Sequence, residues 1–112
     1  MRYYHSVLAL TVTAAGLFDQ TDLVGFDDKK VAADDAPVQG IAQNPATEVG
    51  LDIAVTAIGY DRVRANGAIT KGQKVISAAA GGVKAALPDS VNTFATALTS
   101  AADREFVTIL IR

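Results

Sequence analysis

The stretch TEVGLDIAVTA, residues 47–57, alternates apolar side chains with small or polar ones more regularly than any other part of the chain. A period of two places successive side chains on opposite faces of a β-strand. We therefore predict a strand here with one face toward the core. The predicted core face carries Val49, Leu51, Ile53, Val55 and Ala57. The segment IGYDRVR, residues 58–64, continues the strand, and Gly59 predicts a bend or bulge within it.

Short apolar runs separated by turn residues occupy the sequence on both sides of this strand. The runs at 4–12, 38–43, 74–76, 93–98 and 106–111 predict further strands. The Asp27-Asp28-Lys29 segment predicts a tight hairpin, and Asn66-Gly67 and Gly81-Gly82 predict turns. Since no window of eleven or more residues shows a convincing helical period, we predict an all-β fold, a small single-domain barrel or sandwich.

The 112 residues correspond to one domain, and no linker or charge block divides them. We predict residues 1–15 as an N-terminal arm or first strand and residues 16–112 as the β-rich domain. The apolar run at 7–15 is only weakly similar to a secretory leader, and we interpret it as strand. Half of the chain is hydrophobic, but 21 of these residues are Ala. The core is therefore thin, and such a small domain gains stability from oligomerisation.

The composition excludes several classes of function. Ten basic and twelve acidic residues give a net charge of −2, whereas nucleic-acid-binding proteins usually show a basic excess. The chain has no Cys and a single His, His5, which argues against disulfides, a thiolate nucleophile and a metal site made of Cys or His. No apolar stretch approaches the roughly 18–20 residues of a membrane span. We therefore expect no enzyme activity, no cofactor, and no nucleic-acid or membrane partner.

The groups that could carry chemistry are few, and each is better explained structurally. The pairs Asp27-Asp28 and Asp34-Asp35 sit among turn residues. Adjacent side chains of an extended segment point to opposite faces, so neither pair forms a catalytic dyad by itself. We therefore interpret both pairs as turn residues. The Gly81-Gly82 pair lacks the spacing of a phosphate-binding loop. Lys71, in the segment ITKGQKV, leaves open a carrier module or a small-ligand-binding β-clip domain as alternatives.

The order of several segments carries a resemblance to a known family. VQGIA (38–42) precedes the long strand, AITKGQKV (68–75) follows it, and the Gly81-Gly82 turn leads to the closing segment FATALTSAADREFVTIL (94–110). This arrangement resembles the small capsid cement, or head decoration, proteins of tailed bacteriophages, over roughly Gly25 to Ile111. The sequence departs from the family pattern at residues 92–94 and 103–105, where glycine is usual in the family.

The resemblance implies a compact fold of β-clip or β-tulip type and a structural role without catalysis. It implies binding to the major capsid protein on the outer surface of the expanded capsid, commonly as a homotrimer, after synthesis in the bacterial host cytoplasm. A β-module of a phage tail or baseplate is an alternative within the same class of virion proteins.

The N-terminal residues are the candidate capsid contact. Arg2, Tyr3, Tyr4 and His5 precede most of the predicted strands. Aromatic side chains supply a large contact area at a low entropy cost. We therefore predict a capsid-gripping arm here, and an ordinary first strand with partly exposed Tyr side chains is the alternative.

Overall fold

The computed structural model describes residues 5–111, with side chains described for residues 6–111. This part of the chain contains eight β-strands connected by turns and loops. The strands are β1 (His5–Thr13), β2 (Leu23–Val24), β3 (Gly40–Ala42), β4 (Asp52–Arg64), β5 (Lys74–Ser77), β6 (Val83–Ala85), β7 (Ala95–Ala97) and β8 (Phe106–Ile111). Within these residues there is no helix, so the predicted all-β single domain is confirmed.

The strands form one antiparallel sheet that curls into a half-barrel. Its order is β2-β3-β4-β8-β7-β5-β6, and β1 pairs separately with β4. The curl brings β6 back to the end of β4, where Ala65 and Val83 form a parallel bridge. Gly82 fits against the Arg64 carbonyl at this point because it has no side chain. The domain measures 36 × 29 × 23 Å.

The long strand β4 organises the sheet because it pairs with three other strands. Residues 52–60 pair with β1, residues 55–56 with β3, and residues 59–64 with β8. Gly59 has a φ of 136°, a conformation open to glycine and rarely to other residues. The β1–β4 register is irregular at the same level. The predicted bend or bulge at Gly59 is therefore confirmed, and it divides β4 into two halves.

The two halves of β4 contribute to two hydrophobic clusters. The larger cluster contains Val63 and the smaller one contains Ile53 and Val55. The β2–β3 ribbon lies between them, because Leu23 and Ile41 pack in the larger cluster while Val24 and Ala42 pack in the smaller. Strand β8 supplies the larger cluster with its inward side chains, Val107, Ile109 and Ile111.

The predicted core face is correct at Leu51, Ile53 and Val55, wrong at its start, and incomplete near Thr56, which is fully buried although the alternation places it on the opposite face. Ile53 and Val55 are buried, and Leu51 packs against the smaller cluster. Val49 is 66% exposed because β4 begins only at Asp52. Residues 49–50 instead form a turn in which Gly50 has a φ of 97°.

Strand β1 forms where the alternation predicts it but is less buried than expected. Val12 is buried, whereas Leu8 and Leu10 are exposed and Val7 is 71% exposed. Two register shifts, between Ser6 and Leu8 and between Leu8 and Ala9, break the alternation that a half-buried strand requires. The half-buried face predicted for this strand is therefore limited to its C-terminal end.

The predicted turns are present. The Gly25 N–H donates to the Lys29 carbonyl at 2.9 Å, which closes the hairpin around Asp27 and Asp28. Gly81 and Gly82 both have positive φ angles, of 100° and 72°, in the turn between β5 and β6. Both segments therefore have the structural role that the sequence predicts.

Candidate protein-interaction surface

The outward sides of β4 and β8 form an exposed surface that contains aromatic and arginine side chains. Tyr60 lies opposite Leu110, Arg62 opposite Thr108, and Arg64 opposite Phe106. Residues directly opposite each other in an antiparallel pair share one face of the sheet. The intervening residues Asp61, Val63, Val107 and Ile109 are fully buried on the other face. We call the outward side the β4–β8 face.

A shallow groove of about 410 Å³ runs along this face. Its lining residues are Tyr60, Arg62, Leu98, Thr99, Phe106 and Thr108. The segment after β7 forms one wall, because the Leu98 N–H donates to the Thr108 carbonyl at 2.7 Å and the Thr108 N–H donates to Thr99 Oγ1 at 3.1 Å. The groove is therefore built on two paired strands and a hydrogen-bonded wall.

Two guanidinium groups lie against a single aromatic ring beside this groove. The Cζ atoms of Arg62 and Arg64 are 5.3 and 4.4 Å from the centroid of the Phe106 ring. Cations within about 6 Å of an aromatic ring are attracted by its quadrupole. Arg64 Nη1 also donates to the Arg104 carbonyl at 2.6 Å. These contacts hold positive charge next to an apolar surface.

The apolar part of the face extends to the edge of the sheet. Ile58 precedes Tyr60 on the outward side of β4, and Leu8 of β1 pairs with Ile58. All three side chains are exposed by more than a third of their area, as is Phe106 at 40%. Large exposed apolar patches are typical of surfaces that bind other proteins.

The predicted capsid contacts Arg2, Tyr3, Tyr4 and the His5 side chain lie outside the residues and side chains that the structure describes. The His5 backbone belongs to β1 and pairs with Tyr60. The His5 backbone therefore lies beside Tyr60, next to the β4–β8 face.

The acidic pair Asp34-Asp35 connects three parts of the chain. Asp34 Oδ2 lies 2.9 Å from Lys84 Nζ, and Asp34 Oδ1 accepts the Ala79 N–H at 2.7 Å. The Asp35 carboxylate accepts the N–H groups of Val91 and Asn92 at 2.9 and 2.8 Å. The pair is structural, as the sequence indicates. The hydrogen bond from Lys84, with that from Ala79, lowers the pKa of Asp34 below its ordinary value of 3.8.

Lys71 lies on an exposed turn. The Gln73 N–H donates to the Thr70 carbonyl at 3.0 Å, and Gly72 between them has a φ of 93°. Among the side chains of residues 6–111, no group of three or more acidic, His or Cys residues is placed to hold a metal ion. No helix in the described part of the chain is long and apolar enough to cross a membrane.

Sequence reasoning missed the residues of the β4–β8 face and the buried Asp61. Asp61 is fully buried on the inward side of β4, and its Oδ1 atom accepts the Arg62 N–H at 2.7 Å. The outward positions of β4 and β8 carry Tyr60 and Phe106, where a solvated face would carry polar residues. That departure is the signal that could have identified the surface.

Comparison with known proteins bears on the fold. No protein-family model matches the chain, and no curated protein sequence matches it. Among solved structures, the chain is similar to the N base of head fiber gp8.5 in bacteriophage phi29. The TM-score is 0.73 at 18% sequence identity, and the match covers 94% of this chain and 93% of that one. The two chains share one fold over nearly their whole lengths.

Proposed function

We propose that this protein is a structural component of bacteriophage heads, carried on the outer surface of the capsid, where it binds the major capsid protein and stabilises the shell. The observation that carries the proposal is the shared fold with the N base of a phage head fiber, over 94% of the chain. The motif order from VQGIA to the closing strand, which resembles capsid cement proteins, supports the same role independently.

The surface of the domain suits a structural role. Besides the groove of the β4–β8 face, two other grooves, one lined by residues 25–37 and one by Lys74, residues 93–96 and Leu110, have volumes of about 510 and 400 Å³, and all three lie open at the surface. On the β4–β8 face and its edge, Leu8, Ile58, Tyr60 and Phe106 are each exposed by more than a third of their area, and exposed apolar patches are typical of surfaces that bind other proteins. The proposal includes no catalytic step and no cofactor. It includes assembly as a homotrimer and a contact between the capsid and residues 2–5.

Co-sedimentation with phage heads tests this function. Heads of the phage that encodes the chain, assembled without it, are prepared in expanded and unexpanded forms and mixed with the purified protein. We expect the protein to sediment with expanded heads and to raise the temperature at which they release DNA. Binding to tails in place of heads, or no binding to either form, would contradict the proposal. Analytical ultracentrifugation of the free protein tests the homotrimer.

A further inference from the structure

We propose that the β4–β8 face is the surface that docks on the capsid, and that the capsid subunit presents to it a carboxylate flanked by apolar side chains. This inference rests on the proposed function and deepens it, because it assigns the contact surface and the chemistry of the partner.

The residue types of the face favour a protein partner. Residues that carry most of the binding energy at interfaces are enriched in Trp, Tyr and Arg, and they sit in packed pockets surrounded by less important contacts. Tyr60 and Arg62 line the groove with Phe106. The remaining lining residues are Leu98, Thr99 and Thr108. The backbone beneath these side chains belongs to the paired strands β4 and β8, so binding requires little further ordering of the backbone.

The charge of the face favours an acidic partner. Arg62 and Arg64 lie beside Phe106, and Lys74 lies on the same side of the sheet, since it pairs with Thr96 and Thr96 pairs with Leu110. None of the described groove residues is acidic, although the chain as a whole carries a net charge of −2. The guanidinium group of an arginine carries several N–H donors in one plane, an arrangement that matches the two oxygens of a carboxylate.

Many carboxylates of this chain already have partners within its own fold, which favours a different protein over a second copy. Asp22 lies 3.6 Å from Lys30, and Asp34 is paired with Lys84. Other acidic side chains accept hydrogen bonds, namely Asp27, Asp35, Asp52, Asp103 and Glu105. Three basic residues are too few for nucleic acid, whose binding usually depends on many more phosphate contacts.

The test compares three variants for binding to expanded heads assembled without the protein. Arg62→Glu reverses a charge in the groove, and Phe106→Ala removes the ring against which both guanidinium groups lie. Lys29→Glu is the matched control, because it makes the same change of charge at an exposed residue of the 25–29 hairpin, which contributes no residue to the groove. Thermal unfolding of each variant verifies that the domain is folded. Binding is measured at several salt concentrations.

We expect Arg62→Glu and Phe106→Ala each to weaken binding by about thirtyfold or more, the effect of losing a dominant interface residue. Lys29→Glu should bind as the unmodified protein does. Binding of the unmodified protein should weaken as salt is raised, because salt screens charge pairs that remain accessible to solvent, and Arg62→Glu should depend less on salt.

Each other outcome has a definite meaning. If the unmodified protein binds heads and the groove variants bind equally well, the docking face is wrong while the proposed function stands. If Arg62→Glu dissociates an oligomer of the free protein, the occupant is a second copy and the inference is wrong. If the unmodified protein never binds heads, the proposed function fails, and the inference that rests on it fails too.

Discussion

Truncation of Ile109 to Ala tests the division between the inner and outer sides of β8, on which the β4–β8 face depends. Ile109 is fully buried in the larger cluster, opposite Asp61 of β4. Removing a buried Ile side chain to Ala costs about 2–5 kcal/mol, out of a total stability of roughly 6–17 kcal/mol for a domain of this length. At about 4 °C per kcal/mol for this size, the melting temperature should fall by about 8–20 °C.

The matched control is Leu110→Ala, one residue further along the same strand. Leu110 is half-buried on the outward side, opposite Tyr60, so its truncation should cost less, about 1–2 kcal/mol, and lower the melting temperature by about 4–8 °C. Both changes are measured by calorimetry or by circular dichroism during heating. Equal losses, or a larger loss for Leu110→Ala, would refute the assignment of the two sides and the face built on it.

Three further predictions concern the closure of the sheet, the Asp34 ion pair and the N-terminus. Gly82→Ala should destabilise the domain by more than about 1 kcal/mol, because the added Cβ would overlap the Arg64 carbonyl. Gly67→Ala, where an added Cβ meets open space, should destabilise it less in the same denaturant titration. Equal losses would contradict the close contact between Gly82 and the Arg64 carbonyl. Because the pKa of Asp34 is lowered in the folded state, its ionised carboxylate stabilises the fold at pH values above the ordinary pKa of 3.8, and this stabilisation is lost as the pH falls below that value. Asp34→Asn should therefore make the stability of the domain depend less on pH in the acid range. An unchanged pH dependence would contradict this role. Removal of residues 1–5 should leave a folded domain, seen by circular dichroism, that binds heads more weakly; equal binding would exclude the N-terminal contact.

The sequence predicts the long strands well because their alternation reflects burial of one face. Strand β8 forms where the pattern places it, β4 does so from Asp52 onward, and Gly59 bends β4 as expected. The exposure of Val49 was not predictable from alternation, because the pattern continues into a turn that only the pairing of β1 with β4 defines. The same limit explains the exposed apolar residues of β1, where two register shifts interrupt the strand.

The β4–β8 face was harder to predict because it depends on pairing between distant segments. Arg64 and Phe106 are separated by most of the second half of the chain and come together only through the β4–β8 register. Nothing local in RVR or EFVT indicates that a guanidinium will lie against that ring. The Asp34–Lys84 ion pair likewise depends on how the sheet curls, whereas the turn character of the acidic pairs was readable from neighbouring residues.

The central claim, that this protein is a component of phage heads, is tested most directly by a cryo-electron microscopy reconstruction of the phage particle whose genome carries its gene. The account predicts density for the domain on the outer surface of the capsid, with the β4–β8 face, including Tyr60, Arg62 and Phe106, turned toward a capsid subunit. Density for the domain in the tail, or its absence from the virion, would contradict the claim that this is a head protein. Density on the capsid with this face exposed to solvent would contradict the docking surface alone.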